Sequence, residues 1–253
     1  MKIIAIDKTN IDNEHICCAI GNDKQNQLRA KSKKEWMKAR VDDGLVFKRF
    51  DGRGKFFIEY MPIENVWKPI IGVNYLVINC LWVAGRFQGH GLASNLLDEC
   101  IKDAKEQKKD GICVVTSKKK KGFLTDKTFF KKMGFKVYDT APPYFELMVF
   151  QLNQNAVFPH FTENARNGII QNRKDFTIVY ANQCPFTEEY AKIMTGLLAK
   201  KGFSYELVKL KTKDDAKNFA GPFGTFSIYY KGQMVNHEIM SENKLLKFIS
   251  SIV

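Results

Sequence analysis

Arg86-Phe87-Gln88-Gly89-His90-Gly91-Leu92-Ala93 is the stretch on which the reading of this chain turns. It follows an apolar run, Val73 to Val83, and opens a segment of helical periodicity, Leu92 to Lys105. A strand, a glycine-bearing turn and a helix start together make an anion site. N–H groups at a helix N-terminus point outward unpaired, and the helix dipole adds partial positive charge there. Glycines let a phosphate approach the main chain with no Cβ in the way. The stretch therefore predicts a phosphate-bearing ligand held by backbone.

The spacing narrows the choice. No Gly-Lys-Ser/Thr follows, which excludes a Walker loop, and no third glycine follows Gly89 and Gly91, which excludes a dinucleotide fingerprint. Arg86, Gly89 and Gly91 do match Arg/Gln-x-x-Gly-x-Gly/Ala. That pattern resembles the pyrophosphate loop of the GNAT acetyltransferases, which bind acetyl-CoA. Downstream order extends the resemblance. Leu92, Leu96, Leu97, Cys100, Ile101 and Ala104 recur at helical spacing, and Gly111 to Thr116 reads as a short buried strand. Phe129-Phe130-Lys131-Lys132-Met133-Gly134-Phe135 then reads as a helix ended by glycine, similar to the family's F-Y-x-x-x-G-F segment.

Length and composition fit this reading. The 253 residues suffice for two small domains, and 45% hydrophobic with 26% charged residues is ordinary for a globular chain. No apolar run reaches the roughly 18 residues of a membrane span. The longest, Pro69 to Ala84, is broken by Asn74 and Asn79. The N-terminal apolar stretch is too short for a signal peptide, so a cytoplasmic location is expected. The six cysteines (17, 18, 80, 100, 113 and 184) show no zinc spacing, which predicts reduced thiols and no metal. Net charge is +13, and residues 102–136 hold twelve lysines against four acidic residues. Lys118-Lys119-Lys120-Lys121 is the sharpest piece of it. A solvated basic face and an anion-facing loop near the phosphates of CoA both fit. Nucleic-acid binding is not expected, because arginine is scarce here and aromatics do not interleave with the lysines.

Along the chain, Ile3 to Ile6 reads as a first strand. Lys33 to Val41 reads as a helix with Ser32 as N-cap and Glu35 in the capping-box position. Leu45 to Phe50 and Lys55 to Met61 read as strands about the Asp51-Gly52-Arg53-Gly54 turn, and Tyr144 to Leu152 as a last strand. The fold class expected is α/β with a mixed α+β sheet. The resemblance implies a GNAT acyl-CoA N-acyltransferase fold over residues 1–152. Residues 153–172 are polar, with Pro159, Gly168 and several Asn, and read as a linker. Residues 173–253 restart the pattern as strand, helix, strand, helix, two hairpin strands about Gly232, and helix. This order resembles the thioredoxin fold.

In the first domain the resemblance assigns backbone cofactor contacts to Leu81, Trp82 and Val83. It assigns pyrophosphate contacts to Arg86, Phe87, Gln88, Gly89, His90, Gly91 and Leu92. Phe130 holds the place where many family members carry a tyrosine near the thiol, and it has no proton to give. No Glu or Asp lies between Val73 and Val83 to act as general base. Glu59, or Glu64, and Tyr144 are the substitute proton groups, with Glu59 expected to face a cleft. The implied reaction is transfer of an acetyl group from acetyl-CoA to a primary amine on a small molecule or peptide.

In the second domain Cys184-Pro185-Phe186-Thr187 resembles the glutaredoxin active-site sequence with Thr in place of the second cysteine. A helix N-terminus would favour the Cys184 thiolate. Two further functions remain open at this level: a non-catalytic acyl-CoA sensor whose second domain docks a protein partner, and a monothiol redox protein using Cys184. The pairing of the two domains resembles the YoaP group of bacterial acetyltransferases. Glu59-Tyr60, Trp67-Lys68-Pro69, Thr140 to Leu147 and Gln183 to Thr187 are the other segments that carry this resemblance.

Overall fold

The computed structural model describes residues 2–16, 18–171 and 174–252. Cys17, counted among the thiols, and Asn172, the last residue of the expected linker, lie outside them. The chain divides into two compact units. The first holds the residues up to Val66, Ile70–Thr140 and Tyr144–Phe161. The second holds Trp67–Pro69, Ala141–Pro143 and the chain from Thr162 onward.

The first unit runs β1 (Ile3–Ile6), α1 (Lys24–Lys38), β2 (Val46–Phe50), β3 (Phe56–Pro62), β4 (Ile70–Ile71) and β5 (Tyr75–Val83). It continues with α2 (Leu92–Glu106), β6 (Gly111–Ser117), α3 (Lys127–Lys132), β7 (Lys136–Ala141), β8 (Phe145–Gln151) and β9 (His160–Phe161). Seven strands form one mixed sheet in the order β1-β2-β3-β5-β6-β8-β7. Within it β5 and β6 are parallel, as the intervening α2 crossover requires, while the β1–β2, β2–β3, β3–β5 and β6–β8 pairs are antiparallel. The short β4 and β9 pair with each other.

The core follows from strand alternation. Phe56, Ile58 and Tyr60 on β3, Leu76, Ile78 and Leu81 on β5, Ile112 and Val114 on β6, and Met148 on β8 form one continuous apolar face. Against it α2 buries Leu92, Leu96, Leu97, Cys100 and Ala104, the residues its periodicity singles out. On β3 the alternate residues Phe57 and Glu59 turn to the opposite face, where Phe57 stacks on Phe47 at 5.0 Å between ring centroids.

The first helix differs from its sequence reading. It starts at Lys24, nine residues earlier than expected, and Asp23 caps it by accepting from the Asn26 N–H. Its first two turns are polar and leave Leu28 exposed, so they carry no apolar period. Only Lys33, Trp36 and Met37 are buried, and those set the apparent start too late.

The second unit runs α4 (Glu163–Asn167), β10 (Phe176–Tyr180), α5 (Thr187–Lys200), β11 (Tyr205–Lys209), α6 (Lys213–Asn218), β12 (Phe226–Tyr230), β13 (Gln233–Asn236) and α7 (Glu242–Ile252). Its four-stranded sheet has the order β11-β10-β12-β13, with β10 and β11 parallel and the other pairs antiparallel. Lys231 and Gly232, both at positive φ, make the tight β12–β13 turn. Buried Lys68 donates to the Phe223 carbonyl at 2.7 Å, and His237 meets the Phe223 ring edge-on at 5.1 Å.

Gly111 opens β6 between Tyr75 of β5 and Gln151 of β8. A Cβ there would lie 2.4 Å from the Phe150 carbonyl oxygen and 2.7 Å from Tyr75 Cε1. Gly111→Ala is therefore expected to destabilise by about 1–3 kcal/mol, read as a lower midpoint of chemical denaturation. Gly196→Ala, inside α5 with nothing near its built Cβ, is expected to stabilise by up to about 1 kcal/mol.

Candidate functional site

The site begins where two parallel strands part. The β5–β6 ladder pairs Tyr75 to Ile78 with Gly111 to Val114 and stops there. On its other edge β5 stays paired with β3 to Val83, but with a register shift. Glu59 lies opposite Cys80 and Tyr60 opposite Ile78, so Asn79 is an extra residue on β5. Such a bulge bends and twists its strand. The rest of β5 follows β3, β6 follows β8, and a wedge opens between them.

Main-chain geometry shows what faces the wedge. The Ala84 N–H donates to Lys55 O at 3.0 Å, on the β3 side. Successive residues of an extended strand alternate, so Trp82 also faces β3 while Leu81 and Val83 face the wedge. Two side-chain bonds agree: Thr125 Oγ1 donates to Leu81 O at 3.3 Å, and Gln88 Nε2 to Val83 O at 3.1 Å. The N–H groups of Leu81 and Val83 therefore point into the wedge.

The glycine loop closes the C-terminal end of β5. After Val83 a single 3-10 turn spans Gly85–Phe87, pinned by the Phe87 ring edge-on to Phe56 at 4.6 Å. Gly85, Gly89 and Gly91 sit at φ +62°, +82° and +73°, the left-handed region that residues with a Cβ rarely enter. A Cβ built on any of the three would meet nothing within 4 Å, so open space lies over the loop. Gly91 is the N-cap of α2 and supplies no capping side chain. The first-turn N–H groups of α2 thus face that space without a side-chain cap. Arg86, Gln88, Gly89, His90 and Gly91 are exposed, Phe87 is half-buried, and Leu92 is buried as the first core residue of the helix.

The candidate proton groups have other surroundings. Glu59 is buried and ion-paired with equally buried Lys33, whose ammonium lies 4.5 Å from the Trp36 ring centroid. Its second oxygen accepts from Asn79 Nδ2 at 3.2 Å. Asn79 Oδ1, shielded from solvent, has no hydrogen-bond partner. Tyr144 is half-buried, takes the Lys118 N–H on its carbonyl, and carries the Lys121 ammonium over its ring at 4.5 Å. Phe130 is fully buried between Phe129 and Phe135, which gives it a packing role in the core. Glu64 is engaged outside the wedge, accepting the Asn74 N–H at 2.7 Å.

Three contributors escaped the sequence reading. Lys33 resembles any other lysine of a polar helix. Thr125 sits in a loop with no pattern. Asn79 did leave a signal, a polar residue interrupting an apolar strand. On the α2 face the Tyr60 hydroxyl donates to Asp103, while Lys48 bridges Asp103 and Glu99 at 2.8 and 3.0 Å. Burial, helped by Asp103, pushes the Tyr60 hydroxyl far up from its ordinary range, so it stays protonated. Burial alone would push Lys48 down, but its two carboxylate partners outweigh it and the net shift is upward.

In the second unit Cys184 is half-buried and precedes α5, whose N-cap is Phe186. The Thr187 hydroxyl donates to the carbonyls of Ala181 and Cys184 at 2.6 and 2.9 Å, fixing the turn that carries the thiol. Among the described residues no cluster of His, Cys, Asp and Glu could hold a metal ion. No helix there is long and apolar enough to cross a membrane.

Comparison with known proteins defines the class. The family model for the acetyltransferase (GNAT) domain matches residues 52–137, which contain β3, β5, the glycine loop, α2, β6 and α3. The YoaP-like model matches residues 205–247. Over 252 residues, all of this chain and all of the relative, the sequence is 43% identical to the uncharacterized N-acetyltransferase YoaP of Bacillus subtilis (strain 168). The chain belongs to the YoaP family of GNAT acetyltransferases. Solved structures similar to it include the PaiA N-acetyltransferase of Thermoplasma acidophilum in complex with coenzyme A, at 17% identity and TM-score 0.41 over 60% of this chain and 100% of that one. A ribosomal-protein-alanine N-acetyltransferase from Brucella melitensis gives 17% identity and TM-score 0.42 over the same shares.

The Lys33–Glu59 pair yields a stability prediction. Lys33→Met leaves the Glu59 carboxylate buried without its ammonium and is expected to cost about 3–5 kcal/mol. Lys33→Met combined with Glu59→Leu is expected to recover most of that loss. Urea denaturation of the two variants measures both, and equal losses would show that the unpaired Glu59 carboxylate is not the source of the destabilisation.

Proposed function

We propose that the wedge and loop bind acetyl-CoA and that the chain transfers its acetyl group to a primary amine of a small molecule or peptide. The observation that carries this is the wedge itself: inward-facing N–H groups of Leu81 and Val83, leading to three left-handed glycines and an uncapped helix. The residues fit a long ligand with a pyrophosphate. Backbone groups along β5 suit the amide-bearing arm, and the α2 N-terminus suits the phosphates. Acetyl-CoA would supply a thioester as the acetyl donor. The Leu81 and Val83 N–H groups would hold its carbonyl oxygen, and an N–H aimed there stabilises charge that develops as the amine attacks.

In the proposed reaction the amine nitrogen bonds to the acetyl carbon, and the carbon–sulfur bond breaks after tetrahedral addition. The proton lost by the amine passes to water, since Glu59 is held by Lys33 and Phe130 has none to exchange. The departing thiolate takes a proton from solvent. Trp82, half exposed on β5 beside Leu81, stands where an acceptor would approach.

For the second unit we propose a thioredoxin-like fold. Support comes from its β11-β10-β12-β13 order, its parallel β10–β11 pair and the placement of Cys184 just before α5. Its role is docking a partner, with the protein acting in the cytoplasm.

Calorimetric titration with CoA tests the binding half. The wild-type chain is expected to bind, and Gly89→Asp to bind at least about tenfold more weakly, because a carboxylate would face the pyrophosphate. Thiol release from acetyl-CoA across polyamines, aminoglycosides, amino acids and peptides tests the transfer half. Binding with no turnover on any amine would instead favour a sensor.

A further inference from the structure

The lysine run has no part in the catalytic reading above, yet it occupies a defined place. Its loop leaves the end of β6 at Ser117. There the Ser117 hydroxyl donates to Lys119 O at 2.6 Å, and the Lys118 N–H donates to Tyr144 O at 2.9 Å. The loop returns at Thr125, whose hydroxyl is bonded to Leu81 O on β5. A segment anchored on β6 at one end and on β5 at the other spans the mouth of the wedge. Because β5 and β6 are parallel, this is also the end at which the glycine loop leaves β5.

Side chains within the loop divide by use. Lys127, just beyond it, pairs with Glu146 at 2.6 Å, and Lys121 lies on the Tyr144 ring. Lys118, Lys119 and Lys120 are exposed and make no ion pair among the described residues. Asp126, the nearest acid in sequence, is engaged in capping α3 through the Thr128 N–H. Next to the lysines stands Phe123, at φ +64° and 45% exposed. A left-handed conformation is costly for a residue with a bulky side chain, by roughly 1–2 kcal/mol. A strained backbone that holds an aromatic ring in solvent, beside three uncommitted ammonium groups, has the composition of a nucleotide seat.

We infer that this loop receives the adenosine 3′-phosphate end of the cofactor, with Lys118, Lys119 and Lys120 around the 3′-phosphate and the Phe123 ring against the adenine. The inference rests on the acetyl-CoA reading of the wedge. It adds a second anion subsite to the pyrophosphate cradle and makes the protein discriminate CoA from its 3′-dephospho form.

Calorimetry on the full chain tests it with CoA and 3′-dephospho-CoA. The wild-type protein is expected to prefer CoA by on the order of tenfold, since each exposed charge contact contributes up to about 1 kcal/mol. Substituting Lys118, Lys119 and Lys120 by Gln is expected to erase that preference by weakening CoA alone. Gln at Lys200, Lys201 and Lys211, three exposed lysines of the second unit, removes the same charge and is expected to keep the preference. Phe123→Gly relieves the strained φ, so it should leave the denaturation midpoint unchanged or raised while weakening both ligands about tenfold. Equal affinity of the wild-type protein for the two ligands, or an unchanged preference in the Lys→Gln variant, would overturn the inference and leave the acetyl-CoA reading standing. A loss of acceptor turnover without a loss of CoA affinity would also overturn it, by assigning the lysines to an acidic acceptor. Failure of the wild-type protein to bind either ligand would overturn both readings.

Discussion

Beyond Ile78 and Val114 the parallel ladder stops, and the rest of the first unit is arranged around that parting. The cause is one extra residue. Asn79 has no ladder partner on β3, so β5 bends with β3 and leaves β6 behind. A closed sheet would bond the inner edge of β5 to β6. Here the Leu81 and Val83 amides stay directed into a gap, and the gap leads to a loop that can bend only because Gly85, Gly89 and Gly91 adopt positive φ. Backbone conformation therefore makes the proposed cofactor site, and the side chains that matter are those that keep the backbone in place.

Those side chains are polar groups where apolar ones would be expected. Glu59, Lys33 and Asn79 sit together behind the bulge, with the carboxylate held by the ammonium and steadied by the amide. On the other face the Tyr60 hydroxyl and Lys48 both reach Asp103, tying β2 and β3 to α2. Removing one member of such a group leaves the other desolvated, which is costly, so these clusters fix geometry more than they add net stability. They also explain why Glu59 does not have the surroundings of an exposed catalytic base.

Much of the fold was legible because its signals are local. The α2 periodicity, the apolar β5 and β6, the β3 strand and the glycine after α3 each depend on residues within a turn or two of one another. The strands and helices of the second unit were legible for the same reason, down to the turn at Gly232. The reading failed where burial is sparse. The first two turns of α1 are solvent-facing on every side, so no period marked them, and the cap was placed at Ser32 when Asp23 provides it. The segment from Asn153 read as a linker, yet it holds the short β9 and α4, whose partners are distant in sequence.

By itself the sequence carried the family resemblance and the glycine spacing on which the proposed phosphate loop rests, because glycines at fixed spacing before a helix are written in consecutive residues. It also determined that Phe130 could not exchange a proton, since side-chain chemistry does not depend on the fold. Only the tertiary structure decided that Asn79 splits the sheet, that Glu59 is locked to Lys33, and that Thr125 draws the lysine loop across the mouth of the wedge. Each of those joins residues 20 to 44 positions apart. Long-range contacts leave no periodicity behind, because they are set by the register of strands and the packing of helices on them.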